Sequence, residues 1–278
     1  MAAELIRWTG GPGSGKTRQL LEDVRQEVED GRTLRDLCLM SFSRAQAGDL
    51  ADRLQRAVFQ DETDKAIRQR CATIDAIALR SCRAAGCIPY SSDQIIQPGR
   101  KNAIPLYRKF MQDAGVPYNP VAYTGDDGDP VSRANLPPGN QIIEINAYLG
   151  ATLRPPADWQ VAAAALGLPF NGDTWGIADI LPAWQEFKAQ RGVFEHADYV
   201  RLALEERIDP PAPVILVDEY QDVSPLQDAL LRQWIGHPDT ERVYVAGDPD
   251  QSIYGFRGCA PDLFVSLPAE DQGAHDSG

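Results

Sequence analysis

The stretch Gly10-Gly11-Pro12-Gly13-Ser14-Gly15-Lys16-Thr17 constrains the fold of this chain more than any other. Its four glycines let the backbone turn on itself and aim several N–H groups at one point, and the Lys-Thr pair opens a helix. The octapeptide fits G-x-x-x-x-G-K-[ST], and its flanks supply the context that pattern requires. Glu4 to Thr9 is an apolar-rich strand candidate, and Lys16 to Glu29 reads as a helix with Leu20, Leu21 and Val24 on one face. Strand, loop and helix in this order make a phosphate cradle. Converging N–H groups and the helix N-terminus supply positive potential, Lys16 neutralises the β- and γ-phosphates, and Thr17 offers its hydroxyl to Mg²⁺. The loop alone does not separate kinase, GTPase, transporter ATPase or helicase.

The same alternation continues downstream. Leu37 to Phe42 is a buried strand, Arg44 to Val58 a helix with Ala45, Leu50, Leu54 and Val58 at helical spacing, and together they predict a parallel α/β sheet. From about Gly86 to Gly172 prolines become frequent, helical pieces are short, and "TGDDGDPVSRANLPPGN" (Thr124 to Asn140) has loop chemistry. Regular signals return with the helix Ile180 to Gly192, the strand Pro213 to Tyr220, the helix Ser224 to Ile235 capped by Ser224, and the strand Glu241 to Asp248. The expected fold is an α/β P-loop NTPase with a parallel sheet flanked by helices. Residues 1–80 and 177–278 form the motor domain, and residues 81–176 an inserted, mainly helical accessory subdomain.

Two further stretches carry chemistry. "VILVDEYQD" (Val214 to Asp222) is an apolar strand ending in two carboxylates, which a parallel sheet places at its carboxyl edge beside the phosphate loop. There Asp218 can hold Mg²⁺ through water and Glu219 can act as general base for an attacking water. Adjacent acids beside such a loop are a hydrolase arrangement, since a kinase takes its nucleophile from its substrate. "VAGDPDQSIYGFRGC" (Val245 to Cys259) follows another strand: Gln251 can reach a γ-phosphate, and Tyr254, Phe256 and Arg257 offer flat surfaces to bases, with ordinary core packing as the competing role for the aromatics.

In "GGPGSGKTR", "VDEYQD" and "GDPDQSIYGFRG", taken in that order with a long insertion between the first two, the chain resembles the UvrD/Rep-type superfamily-one DNA helicases. Weaker segments agree. "LMSFSRAQAGDLADRL" (Leu39 to Leu54) resembles the family's T-F-T-N-x-A-A segment. "ATIDAIALR" (Ala72 to Arg80) is similar to its T-x-H segment, with Asp75 in place of the usual His. "RGVFEHADYV" (Arg191 to Val200) is similar to its D-F-D-D-L stretch. The resemblance implies the N-terminal motor half of an ATP-driven 3′-to-5′ motor on single-stranded DNA. In it, Gly10, Gly11, Pro12, Gly13, Ser14, Gly15, Lys16, Thr17 and Arg18 bind ATP, and Thr17 and Asp218 hold Mg²⁺. Glu219 is the base, Gln221 and Gln251 sense the γ-phosphate, and Ser41, Phe42, Ser43, Arg44, Thr73, Tyr254, Phe256 and Arg257 contact DNA. The second motor domain, with its arginine finger, would come from a separate chain. A DNA- and ATP-binding module without unwinding activity, and a stand-alone P-loop ATPase, are the alternatives.

Composition bears on partners and compartment. A net charge of −13 opposes nucleic-acid binding by the surface as a whole, yet Lys65 to Arg83 and Arg100 to Lys109 are locally basic, as solvated helix faces or as phosphate contacts. The five cysteines, with no C-x-x-C pair, read as reduced core thiols rather than zinc ligands or disulfides. No basic-then-apolar leader and no apolar run of bilayer length is seen, so a soluble cytoplasmic protein without a membrane partner is expected.

Overall fold

The computed structural model describes residues 3–120, 135–170, 172–252, 255 and 258–273. Contacts divide the chain into two compact units. The first comprises Met1–Ile88, Val200–Gly255 and Cys259–Gly278, and the second comprises Pro89–Tyr199 and Phe256–Gly258.

The first unit is built on strand β1 (Glu4–Thr9), helix α1 (Lys16–Glu29), β2 (Leu37–Ser41), α2 (Arg44–Ala57), α3 (Asp64–Arg70), β3 (Cys71–Thr73) and α4 (Ile74–Ala84). The second unit supplies α5 (Ile104–Asp113), α6 (Pro138–Ala151), α7 (Trp159–Ala165) and α8 (Ile177–Arg191). After α9 (His196–Glu205), within which the division between units falls, the first unit resumes with β4 (Val214–Val217), α10 (Pro225–Ile235), β5 (Arg242–Gly247), α11 (Asp262–Val265) and β6 (Glu270–Gly273).

All six strands form one parallel sheet in the order β3-β2-β4-β5-β1-β6. Parallel strands are buried on both faces, and the sequence obeys this: β2 (LCLMS) and β4 (VILV) are buried throughout. Leu37, Leu39, Val214, Leu216, Tyr244 and Ala246 pack on one face with Leu20 and Val24 of α1, Leu50 and Leu54 of α2 and Ile67 of α3. The alternate residues Cys38, Met40, Ile215, Val217, Val243 and Val245 are buried as well. Helix starts are set by short polar side chains. Ser43 and Ser224 close capping boxes with Gln46 and Gln227, and Thr73 accepts from Ala76 N to start α4.

The second unit has its own core. Tyr107 and Phe110 of α5, Ile142, Ile145 and Leu149 of α6, Trp159 of α7 and Ile177, Leu181 and Trp184 of α8 are buried together. Tyr107 stacks on Trp184 with ring centroids 4.8 Å apart. Within this unit Lys188 is buried and its ammonium is matched by Glu195 at 2.7 Å and Asp198 at 2.6 Å, the pairing that a buried charge requires. The helix Ile177–Arg191 belongs to this core.

One contact fixes the flanks of the phosphate loop to each other. Trp8, near the end of β1, donates its indole N–H to Asp23 of α1 at 2.7 Å. Burial is the main cause that pushes the Asp23 carboxyl up from 3.8 to about 6, against the opposing effect of the Trp8 and Gln19 hydrogen bonds. The native state therefore holds this proton more tightly than the unfolded chain. The contribution of Asp23 to stability is greatest below its ordinary value, declines as pH rises from about 4 to about 6, and is constant above that. Asp23→Asn, which keeps an acceptor for Trp8, should remove that share of the pH dependence, up to about 3 kcal/mol, in urea denaturation series collected between those pH values.

Candidate nucleotide site

The strand order explains why residues far apart in sequence meet. β5 lies between β1 and β4, so the carboxyl ends of β1, β5 and β4 stand side by side, with Thr9 paired to Gly247 and Val217 to Val245. Ligand sites of open α/β sheets form at this edge. The phosphate loop leaves β1 here and enters α1. Gly13 (φ 76°) and Gly15 (φ 82°, N-cap of α1) occupy the left-handed region that glycine adopts without steric cost. Lys16 lies against the loop, its ammonium donating to the carbonyls of Gly10 at 2.6 Å and Gly11 at 3.1 Å. The Ser14 hydroxyl is buried without a partner among the described residues. Arg18 is exposed on the first turn of α1.

Thr17 donates its hydroxyl to Asp218 Oδ2 at 3.0 Å, joining α1 to the end of β4. Asp218 is buried, and its backbone N–H continues the sheet to Met40 O at 2.9 Å. Burial and then the neighbouring Glu219 charge push its carboxyl up to about 6, while Thr17 and Lys16 act against them. Two hard oxygen donors so close fit a magnesium ion that takes its remaining ligands from phosphate and water. No group of three or more His, Cys, Asp or Glu side chains forms a cage for a metal among the described residues.

Past Asp218 the chain turns sharply. Glu219 sits at φ 57° and ψ 45°, a left-handed conformation rare for a side-chain-bearing residue, and strain of this sort gathers at functional sites. The side chain of Gln221 then bridges two strands. Its amide nitrogen donates to Glu219 Oε2 at 2.6 Å and its carbonyl oxygen accepts from Asp248 N at 2.9 Å. Asp248 Oδ2 accepts from Gln251, so a continuous run of hydrogen bonds joins Glu219, Gln221, Asp248 and Gln251 across the edge. The Asp222 carboxyl, also pushed up to about 6 by burial, keeps one oxygen without a partner among the described residues, and the backbone carbonyl of Asp222 accepts from Cys259 Sγ at 2.6 Å.

Of the segments expected to meet DNA, those at the ends of β2 and β3 lie at the carboxyl edge of the same sheet. Ser41 and Thr73 are paired across β2 and β3. Ser41 is fully buried, Phe42 is half-buried, Ser43 and Thr73 serve as helix caps, and Arg44 is exposed on the first turn of α2. Tyr254, Phe256 and Arg257 lie outside the described residues. Three arginines of the basic stretch from Lys65 to Arg83 have partners within the first unit. Arg68 pairs with Asp52 and Asp64, Arg70 donates to Pro211 O, and Arg80 donates to the carbonyls of Arg68 and Gln69. Of these, Arg68 is paired with carboxylates, whereas Arg70 and Arg80 are bonded to carbonyls and keep their charge.

Sequence reasoning missed three residues here. Gly247 ends β5 where a Cβ would stand 2.6 Å from Gln221 Oε1 and 3.2 Å from the Phe264 ring. Asp248 meets both glutamines, donating its backbone N–H to Gln221 and accepting from Gln251 at its carboxylate. Asp75, which departs from the family pattern, accepts from Gln227 Nε2 at 2.8 Å and so links the start of α4 to the start of α10. That departure was the sequence signal for Asp75; for Gly247 the close approach is not visible in sequence.

This fold and this site define an α/β protein of the P-loop NTPase class. Residues 184–271 match the UvrD/REP helicase N-terminal domain. The chain is 25% identical over 271 residues, 92% of its length, to the ATP-dependent DNA helicase UvrD2 of Mycobacterium tuberculosis (strain ATCC 25618 / H37Rv). It is 40% identical over 92 residues, 28% of its length, to one subunit of the ATP-dependent helicase/nuclease of Lacticaseibacillus casei (strain BL23), and 46% identical over 52 residues, 19% of its length, to the corresponding protein of Pediococcus pentosaceus. Within its class these matches support a likeness to the N-terminal half of UvrD-type superfamily-one helicases. It spans 36% of the length of UvrD2, 7% of that of the Lacticaseibacillus helicase/nuclease protein and 4% of that of the Pediococcus one. No helix among the described residues is long and apolar enough to cross a membrane.

The contrast between two glycines gives a direct check on the packing of the site. Gly247→Ala forces Gln221 and Phe264 apart and should cost about 1–3 kcal/mol in chemical denaturation. Gly11→Ala, where a Cβ meets nothing within 4 Å and φ is not positive, should change stability by less than about 0.5 kcal/mol.

Proposed function

We propose that the chain is the ATP-binding and ATP-hydrolysing half of a DNA helicase motor that moves 3′ to 5′ along single-stranded DNA. The observation that carries the reading is the single edge on which the phosphate loop, the Thr17–Asp218 contact and the Glu219–Gln221–Asp248–Gln251 run all meet. Gly10 to Thr17 cradle the phosphates, with Lys16 leaving its loop carbonyls for them, and Arg18 lies at the adenine end. Thr17 and Asp218 hold Mg²⁺, which supplies charge neutralisation to the β- and γ-phosphates when bound. Glu219 orients and deprotonates the attacking water, and the two glutamines relate the state of the γ-phosphate to the loop that follows β5.

Ser41, Phe42, Ser43, Arg44, Thr73, Tyr254, Phe256 and Arg257 form the strand-binding track, in which aromatic rings stack on bases and the neighbouring polar groups meet phosphates. The second unit is an accessory domain inserted between β3 and β4. A second motor domain, on the same polypeptide or on a separate chain, completes the machine: its arginine stabilises charge in the transition state, a contribution of about 10³-fold or more, and alternate gripping by two domains produces movement. Cytosolic action without a membrane accords with this reading.

Nucleotide binding and turnover separate cleanly by mutation. Lys16→Ala removes the loop's cation and should weaken Mg·ATP binding in calorimetric titration. Glu219→Gln should leave that affinity intact while lowering hydrolysis on the order of 10²-fold or more. Equal affinity in wild type and Lys16→Ala would remove the loop from the reading, and unaltered hydrolysis in Glu219→Gln would remove the base.

DNA binding by the 278 residues alone should be weak, indifferent to sequence and diminished by salt, because one half-track contributes about 1–3 kcal/mol per stacked base. Fluorescence anisotropy with a labelled single strand reads this. In a strand-displacement assay the same chain should not unwind duplex, and adding a second motor domain should restore DNA-stimulated ATPase activity. Robust unwinding by these residues alone would overturn the half-motor reading.

A further inference from the structure

The last turn of α4 ends in a motif whose two contact positions are both cysteine. The backbone N–H of Cys87 donates to Cys82 O at 2.9 Å, that of Gly86 donates to Arg83 O at 3.0 Å, and Gly86 takes φ 78°. This is a Schellman ending, in which the chain doubles back under a left-handed glycine and the side chains at the two ends of the six-residue loop pack on each other. Here those ends are Cys82 and Cys87. The 6→1 hydrogen bond brings their Cα atoms into the range of roughly 4.4–6.8 Å that a disulfide spans. The two thiols differ in surroundings: Cys82 is fully buried and Cys87 half-exposed, and both are reduced in this structure.

We propose that Cys82 and Cys87 are a redox modification site, a dithiol that a hydroperoxide converts reversibly to an intramolecular disulfide closing the end of α4. The partition of roles follows from access. Half-exposed Cys87 meets the oxidant: its thiolate attacks one peroxide oxygen, the O–O bond breaks, and hydroxide leaves, taking a proton to become water. Cys87 is then a sulfenic acid. Cys82, whose thiol is pushed up to about 11 chiefly by burial and then by Cys87, stays protonated until this point and is the resolving partner. Its sulfur attacks the sulfenic sulfur, the S–O bond breaks, and the hydroxyl leaves with the Cys82 proton as a second water. Two thiols and one hydroperoxide thus give one disulfide and two waters with hydrogen peroxide, or one water and one alcohol with an organic hydroperoxide. A small dithiol reverses the change by exchange at Cys87, the accessible sulfur.

The other cysteines stand apart from this chemistry. Cys38 and Cys71 are buried in strands β2 and β3 with thiols pushed up to about 12, and Cys259 is buried against Asp222 O. Selectivity for Cys82 and Cys87 under native conditions is therefore part of the inference, which stands independently of the nucleotide and DNA chemistry.

Trypsin provides the readout, because Arg83 lies between the two cysteines. The intact 278-residue chain is treated with hydrogen peroxide under native conditions, remaining thiols are blocked with iodoacetamide, and the digest is analysed by mass spectrometry without reduction. The expected product is Ser81–Arg83 joined to Ala84–Arg100 with loss of two hydrogens, released by dithiothreitol. In Cys82→Ala the same peroxide treatment should leave Cys87 as a sulfenic acid that dimedone traps, and in Cys87→Ser it should leave Cys82 unoxidised. Joined peptides that form only after urea unfolding, or Cys87 passing to sulfinic acid with Cys82 still alkylatable in the wild type, would overturn the proposal.

Discussion

The hydrogen bond from Thr17 to Asp218 is the contact on which the rest of the site depends. It spans 201 positions of sequence and is possible only because β1 and β4 run parallel, one strand apart, with their carboxyl ends level. Parallel strands need crossover connections, and the crossovers carry the helices that cover both sheet faces. The buried apolar strands are thus the means by which a hydroxyl on α1 and a carboxylate at the end of β4 come within 3.0 Å. The long stretch of chain between β3 and β4, which carries most of the second unit, is compatible with this geometry, since the sheet is indifferent to how long the chain takes to return to it.

What the sequence makes legible is whatever is local. The glycine loop, the strand that feeds it and the helix that leaves it are written in consecutive residues, and the structure has them at Glu4–Thr9 and Lys16–Glu29. The Asp218–Glu219 pair is readable because four buried apolar residues precede it. Strand β3, only three residues long, carries too little alternation to be read, and it exists because β2 pairs with it at Leu39, Met40 and Ser41. The two-strand bridge made by Gln221 is illegible for a different reason. A glutamine next to acids reads as a polar turn, and only the adjacency of β4 and β5 brings the N–H of Asp248 within 2.9 Å of its carbonyl oxygen.

Charge shows the same limit in reverse. Local composition marks Lys65 to Arg83 as basic; the structure neutralises Arg68 with two carboxylates and fixes Arg70 and Arg80 on backbone carbonyls without removing their charge, a difference that composition does not reveal. Pairing of that kind also organises the interior. Glu27, nearly fully buried, accepts from Arg242 at 2.6 Å and from Tyr244 at 2.8 Å, linking α1 to β5. A lone carboxylate at that position would be costly, and two donors make it a strut.

The residues at the carboxyl edge are held in a state that folding alone would not choose. Asp218 is buried with its carboxyl pushed up to about 6, Glu219 is in a left-handed conformation, and Ser14 and Asp222 each keep a buried oxygen without a hydrogen-bond partner among the described residues. Each feature costs stability: a raised carboxyl favours the unfolded state as pH increases, left-handed backbone costs on the order of 1 kcal/mol or more, and an unpaired buried oxygen forfeits its hydration. They are collected within one loop cluster while the β2 and β4 strands beneath are packed without polar side chains other than Ser41 and the Cys38 thiol. The apolar sheet supplies the surplus that holds the edge in place. Under the function proposed above, carboxylate oxygens already gathered at this edge need little rearrangement to meet a cation.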